Sequence, residues 1–262
     1  MSPESAAPAV RRVALVTGPT AGIGRAFALR LAERGYDVVL VARDEERLRG
    51  LAEELAATYS VTGEVLVADL SDRAGMALVE ARLADESRPV DLLVNNAGFG
   101  LKRRFLDNSV EQEQAALDVL VTAVMRLTHA ALGPMAGRGS GGIINVASVA
   151  AYQPRGSYSA AKAWVTTFGA WASHEYAAQG VRIMTLCPGF TRTEFHARMD
   201  VKREAVPRLL WLDVDRVVDD ALADWDSGKV LSIPGKRYKV ITMISRHVPT
   251  SVLQRFQSLG RR

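Results

Sequence analysis

The chain has 262 residues, 48% hydrophobic and 24% charged, enough to bury a sizeable core and too apolar for an intrinsically disordered protein. A net charge of +4 leaves nucleic acid open on charge alone, but no basic stripe is interleaved with aromatics, and phosphate-bearing small molecules explain a mild Arg excess equally well. The single Cys187 excludes an intrachain disulfide and fits a reducing compartment, and neither a secretory leader nor a run of about 18 apolar residues appears, so a cytoplasmic chain without a membrane span is expected.

Residues 1–9, MSPESAAPA, read as a disordered leader, and residues 10–262 as one domain. VRRVALVTG is an apolar, β-branched strand that stops at Gly18; a turn, Gly18-Pro19-Thr20-Ala21-Gly22-Ile23-Gly24, leads into a helix ending near Gly35. Strand, glycine turn and helix in that order suit phosphate binding: Gly18 for the tight turn, Gly22 for close backbone approach to a pyrophosphate, Gly24 for helix–strand contact. YDVVLVAR is the second strand. It ends at Arg43, where an NAD-selective site would place a carboxylate, so the cation favours a 2′-phosphate and NADP over NAD. Asp44 is the expected N-cap of the helix EERLRGLAEELAATY.

EVLVADL is a third strand ending at Asp69-Leu70, and PVDLLVNNAG a fourth ending at Asn95-Asn96-Ala97-Gly98. A single helix is expected from about Val110 to Leu132, with Leu117, Leu120, Val124, Leu127 and Ala131 on one buried stripe. GIINVAS delivers Ser148, a helix carrying Tyr158 runs to about Ala178, and VRIMTLCPG ends at Pro188-Gly189. Residues 190–212 read as a substrate lid; Asp213 or Asp215 caps a further helix; KVLSIPG is a last strand; residues 236–262 form an amphipathic helical tail. About seven strands alternating with helices give an α/β doubly wound parallel sheet with helices on both faces. Gly18, Arg43, Asp69, Asn95, Ser148 and Pro188 all fall at strand C-termini, where such sheets bind ligands.

Tyr158 and Lys162 lie four residues apart, on one helical face. A phenol that shares protons at neutral pH must be stabilised as phenolate by about 4 kcal/mol. A cation about 5 Å away contributes about 3 kcal/mol at an effective dielectric near 20. The expectation is therefore a Tyr158 held acidic by Lys162, with Ser148 beside it to hold a carbonyl oxygen.

These pieces, in this order, resemble the short-chain dehydrogenase/reductase family over residues 11–235: Thr17-Gly18-x-x-x-Gly22-Ile23-Gly24, Asn95-Asn96-Ala97-Gly98, Ser148, Tyr158-x-x-x-Lys162, and Pro188-Gly189 followed by Thr193. The resemblance implies a Rossmann fold, Tyr158 as acid/base, Lys162 lowering its pKa and holding the nicotinamide ribose, and Ser148 positioning the substrate. It implies a cofactor set of Gly18, Thr20, Gly22, Ile23, Gly24, Arg43, Asp69, Leu70, Asn95, Ala97, Gly98, Tyr158, Lys162, Pro188, Gly189, Thr191 and Thr193. Asp69 and Leu70 would flank the adenine, and Thr193 would meet the carboxamide.

Two departures stand out. Leu120 occupies the place of a family Asn whose side chain distorts the helix so that its backbone carbonyl holds a water leading to the Lys; a slow enzyme is expected. The Ser148–Tyr158 interval is short, which should reshape the substrate mouth near Tyr152 and leave both anchors in place.

Trp164, Phe168 and Trp171 share a face about 200° away from Lys162, suited to core packing or to a homodimer or homotetramer interface. His129, His174, His196 and His247 lack metal-ligand spacing, so no metal is expected. His196 sits in the lid with Phe195 and Met199, and Cys187 reads as a buried strand residue. The tail, with Arg246, Arg255, Arg261 and Arg262 near Val252, Leu253 and Phe256, is expected to pack over the substrate cleft, with peripheral contact to an anionic membrane as the alternative. The expected activity is NADP-dependent interconversion of a hydrophobic ketone or aldehyde and an alcohol; the alternative is an NADPH-binding sensor or scaffold with little turnover, motivated by Leu120.

Overall fold

The structure, a computed structural model, describes residues 11–101, 103–194 and 207–247. The expected leader, the middle of the lid with Phe195, His196 and Met199, and the tail beyond His247 lie outside the described residues. Seven parallel strands, β1 (Val13–Thr17), β2 (Asp37–Ala42), β3 (Gly63–Val67), β4 (Leu92–Asn95), β5 (Gly141–Val146), β6 (Val181–Leu186) and β7 (Leu231–Ser232), form one sheet in the order 3-2-1-4-5-6-7. The order reverses between β1 and β4, and that neighbouring pair opens the crevice in which a doubly wound sheet binds its ligand.

The strands are apolar throughout because helices cover both faces. Successive residues point to opposite sides. Ala14, Val16, Leu40, Val94 and Ile144 pack with Phe27, Leu31, Leu48, Leu55 and Trp225, whereas Leu15, Val39, Val41, Leu93 and Ile143 pack with Met76, Val79, Leu127 and Met135. The first group comes from α1 (Gly22–Glu33), α2 (Glu45–Tyr59) and, in order of the chain's later helices, α7 (Val214–Asp226); the second from α3 (Arg73–Ala84) and α5 (Ala123–Gly137). Asp44 caps α2 by accepting from the Arg47 amide, and Asp213 caps α7 by accepting from those of Asp215 and Arg216, as their positions suggested.

The long helix departs from expectation. It begins as α4 (Val110–Leu117), passes through a π turn at Asp118–Thr122, and continues as α5 to Gly137, five residues beyond Leu132. Its length and composition would suffice to cross a membrane, but here it is a layer helix whose Leu120, Val124, Leu127, Ala131 and Met135 are buried against the fold. α6 (Ser157–Glu175) carries Tyr158 and Lys162, and a chain of rings runs along its other side: Trp164 stacks on Phe168 at 4.7 Å, Phe168 meets Trp171 at a tilt, and Trp171 meets Tyr176, just past the helix end, edge-on. The last strand is only two residues long, and α8 (Lys236–His247) follows it.

α6 lies close against the sheet at Gly169, where a Cβ would strike Oγ1 of Thr185 on β6. Gly169→Ala is expected to destabilise the protein by about 1–3 kcal/mol, against the usual gain from Gly to Ala in a helix. Adding Thr185→Ala should recover most of the loss in urea denaturation; a neutral single variant would contradict this packing.

Candidate active site

The crevice is built first from Thr17, the last residue of β1. Its buried hydroxyl accepts hydrogen bonds from the amides of Asn96 (3.0 Å) and Ala97 (2.9 Å), tying the ends of β1 and β4 together. The Asn96 side chain donates to the carbonyls of Thr17 (2.9 Å) and Gly18 (3.2 Å) and so pins the glycine turn. Gly18 sits at φ 66°, the left-handed region, with its Cα side against Ala97. A Cβ at Gly24 would run into the Gly18 carbonyl and the Asn96 amide, so that position fixes how close α1 comes to β1.

Whereas α2, α3, α4 and α7 have side-chain caps, the N-cap of α1 is Ala21, which offers none, and no acidic residue stands in the first turn. Without a side-chain cap, the leading amides of α1 and its positive end fit a dinucleotide pyrophosphate. Thr20 and Ile23 are part-buried in the same turn, and Thr193 lies across Gly22.

At the other end of the crevice, Arg43 is 72% exposed, with Nη1 3.6 Å from Asp69 Oδ2. Burial works to raise the Asp69 carboxyl, but the backbone and side chain of Ser71, together with Arg43, hold it below the ordinary value. Leu70 is buried in the apolar cluster with Met76 and Val79.

The expected cofactor role of Asn95 is not one its side chain can fill. Its side chain turns into the core, donating to Thr128 Oγ1 (3.2 Å) and Asn145 Oδ1 (2.9 Å), because alternate residues of β4 face opposite sides; Asn96 is the one aimed at the turn.

Ser148, Tyr158 and Lys162 do come together. Ser148 follows β5, caps the short turn Val149–Tyr152, and its hydroxyl hydrogen-bonds the Tyr158 phenol. The short interval between them leaves both anchors in place. Lys162 is 4% exposed; Nζ donates to the Val146 carbonyl at 2.7 Å and lies 5.8 Å from the centre of the Tyr158 ring.

The electrostatics reverse the expected sign. Burial pushes the Tyr158 phenol up to about 12, against the lowering effect of Ser148, and burial lowers the Lys162 ammonium to about 8. Desolvation opposes the charged form of both groups, and it outweighs the pull of an ammonium already bonded to Val146. At neutral pH the pair is therefore a neutral phenol beside a cation.

Leu120 sits at the centre of the π turn, 2% exposed, in a cluster with Ala116 and Ala161 against which Phe99, Leu101 and Tyr158 pack. Its Cδ2 lies 3.0 Å from where a Gly98 Cβ would stand, and Lys162 Nζ 3.8 Å from the same point. The helix thus keeps its local distortion with an apolar side chain inside it.

Beyond β6, the Pro188 carbonyl accepts from the Val149 amide, Thr191 turns inward to donate to the Gly189 carbonyl at 3.0 Å, and Thr191 bridges to Leu212, joining the described ends of the segment expected to be a lid. The rings of Phe190 and Trp211 meet at a tilt, their centres 5.7 Å apart.

Three contributors have roles at the site that the sequence did not assign. Thr17 is the hinge of the crevice. Cys187 lies beneath the site, its Sγ 3.9 Å from Tyr152 Oη and 3.8 Å from Thr166 Oγ1, with burial raising its thiol. Tyr238 of α8 lies against Gly189 and accepts from the Phe190 amide at 3.0 Å. Only Thr17 carried a signal, as the residue leading the glycine motif. Among the described residues no group of three His, Cys, Asp or Glu could hold a metal.

Comparison with known proteins agrees with this geometry. Residues 12–204 match the family described as short chain dehydrogenase. The chain is 37% identical over 188 residues to sulfoacetaldehyde reductase 2 of Chromohalobacter salexigens, covering 70% of this chain and 74% of that one. It is 32% identical over 191 residues to the human inactive hydroxysteroid dehydrogenase-like protein 1, covering 71% of this chain but only 58% of that protein's length. Among solved structures, a short-chain dehydrogenase from Sphingobium yanoikuyae in complex with NADPH superposes with a TM-score of 0.83 at 32% identity, covering 90% of this chain and 94% of the other.

A buried ammonium lowered from 10.5 to about 8 is a stability cost of about 3 kcal/mol at neutral pH. Lys162→Met loses the bond to the Val146 carbonyl as well as the buried charge, so the signature is in the pH dependence: the stability of the variant relative to wild type in urea denaturation should fall as pH rises from 8 towards 10.5, where wild type gains. A difference that does not change over that range would contradict the burial of that charge.

Proposed function

Given that the chain belongs to the short-chain dehydrogenase family, we propose that it is an NADP-dependent oxidoreductase interconverting a hydrophobic ketone or aldehyde and the corresponding alcohol. The observation that carries this reading is the convergence of Ser148 and Lys162 on the Tyr158 phenol, at the sheet edge that also bears the glycine turn. Bound NADP would supply or accept the hydride. Tyr158, protonated at neutral pH, donates to the carbonyl oxygen in the reductive direction. Ser148 holds that oxygen beside the phenol, and the Lys162 ammonium stabilises the phenolate left behind.

The preference for NADP rests on the exposed Arg43 guanidinium at the tip of β2, suited to a 2′-phosphate, and on the NADPH complex of the Sphingobium neighbour. The apolar substrate rests on Phe99, Leu101, Tyr152 and Trp211 around the crevice. We read the protein as cytoplasmic, one domain per chain, and a homodimer or homotetramer in which the outer rings of α6 would be covered.

A second reading, an NADPH-binding sensor or scaffold with little turnover, draws on Leu120 and on the relative named as inactive. The π turn favours the enzyme: the resemblance assigns the water relay to a backbone carbonyl, and the backbone distortion persists without a polar side chain.

NADPH oxidation against a panel of bulky ketones separates the readings. Tyr158→Phe should lower kcat/KM by about 10²–10⁴-fold, and Leu120→Asn should raise kcat; equal background rates in wild type and both variants, with NADPH still bound, would favour the sensor. Arg43→Ser should weaken NADPH binding tenfold or more and leave NADH binding unchanged; equal losses for both would remove the NADP assignment. Carbonyl reduction should fall as pH rises above about 8, where Lys162 loses its proton, while alcohol oxidation, which needs the phenolate, rises with pH.

A further inference from the structure

The charge of this chain is unevenly placed. From position 236 to 262 the sequence holds seven Lys and Arg and no Asp or Glu, so the preceding residues are net negative although the whole is +4. The described part of that basic stretch is α8. At about 100° per residue, its buried side is Tyr238 and Thr242, 3% and 2% exposed, and the opposite side carries Val240 and Ile244, 51% and 53% exposed. Lys236, Arg237 and Lys239 are exposed around these two apolar residues. Arg237 also donates to the Leu209 carbonyl at 2.8 Å, bringing a further large apolar side chain, 62% exposed, alongside the helix. The acidic group near Lys239 is Asp224, which is itself engaged by Lys229 and by Ser232.

A helix that buries one apolar side in its own fold and presents another, flanked by cations, to solvent suits a surface with both an apolar and an anionic layer. We propose that the outer face of α8 docks the protein on an anionic phospholipid surface. Charge complementarity and the mixed apolar–basic face argue for lipid. A nucleic-acid face would set its cations among exposed aromatic rings, and the aromatic residue of this helix, Tyr238, is buried.

The position of α8 gives docking a consequence. Tyr238 reaches from the buried side of the helix to the Phe190 amide and donates to the Leu210 carbonyl at 2.7 Å, at the two described ends of the segment expected to be a lid. Docking would hold the mouth of the crevice beside the lipid, where an apolar substrate is concentrated. The proposal does not depend on turnover.

The test is flotation of the full chain with vesicles of phosphatidylcholine alone, and of phosphatidylcholine with about one part in three phosphatidylglycerol. Circular dichroism checks that each variant is folded. Wild type should bind the anionic vesicles at least tenfold more tightly than the neutral ones, and salt should weaken that binding. Lys236→Gln with Lys239→Gln should cost about tenfold or more, and Val240→Gln with Ile244→Gln should do the same. Absence of wild-type binding would overturn the proposal, as would equal binding to both vesicle types or folded variants that bind like wild type. Retention of duplex DNA without vesicle binding would assign the basic stretch to nucleic acid, and a dimer lost in the Val240/Ile244 variant without vesicle binding would assign the face to a second copy. The wild-type comparison of the two vesicle types decides the matter even if a variant fails to fold.

Discussion

The site depends on one buried hydrogen bond, from the Lys162 ammonium to the carbonyl of Val146 at the end of β5. It anchors α6 to the sheet edge and sets the height of Tyr158 one turn before it. It also divides the ammonium between two tasks, since a charge bonded to a strand end has less to give to a tyrosine whose ring centre is 5.8 Å away. In a dry crevice both members of the pair then favour their neutral forms, and the phenol is the one that reaches its neutral form at physiological pH. On the proposed reading, the ligand-free site is set to donate a proton to a carbonyl. The opposite direction needs a further positive charge beside the phenol, which an oxidised nicotinamide ring would bring.

Leu120 shows how a backbone geometry can be held by packing. With no polar side chain to pull on the helix, the π turn at Asp118–Thr122 is filled by a leucine wedged towards Gly98 and packed with Ala116 and Ala161. The wedge lies beside the buried Lys162 ammonium: Leu120 Cδ2 and Lys162 Nζ stand 3.0 and 3.8 Å from the same point at Gly98.

Much of the fold was legible because its signals are local. Strand ends at Gly18, Arg43, Asp69 and Pro188, caps at Asp44 and Asp213, and the helical spacing of Tyr158 and Lys162 follow from residue type and period alone. What was not legible is set by tertiary burial. The sign of the Tyr158 shift depends on how dry the crevice is, which spacing does not encode. Asn95 and Asn96 look alike in sequence, and only the pleat of β4 tells which faces the core. A π turn leaves no mark in a pattern of apolar residues, and Tyr238, in contact with Gly189 from 49 residues away, has no local signal at all.

The most direct measurement of the central claim is the ultraviolet titration of Tyr158, taken as the difference between wild type and Tyr158→Phe, without and with saturating NADP in its oxidised form. The account predicts a phenol that stays protonated to about 12 in the free protein and ionises at least one to two pH units lower, roughly, once the cofactor's positive ring is beside it. A free-protein phenol that already ionises below its ordinary value of 10.0, or a titration unmoved by the bound cofactor, would contradict it.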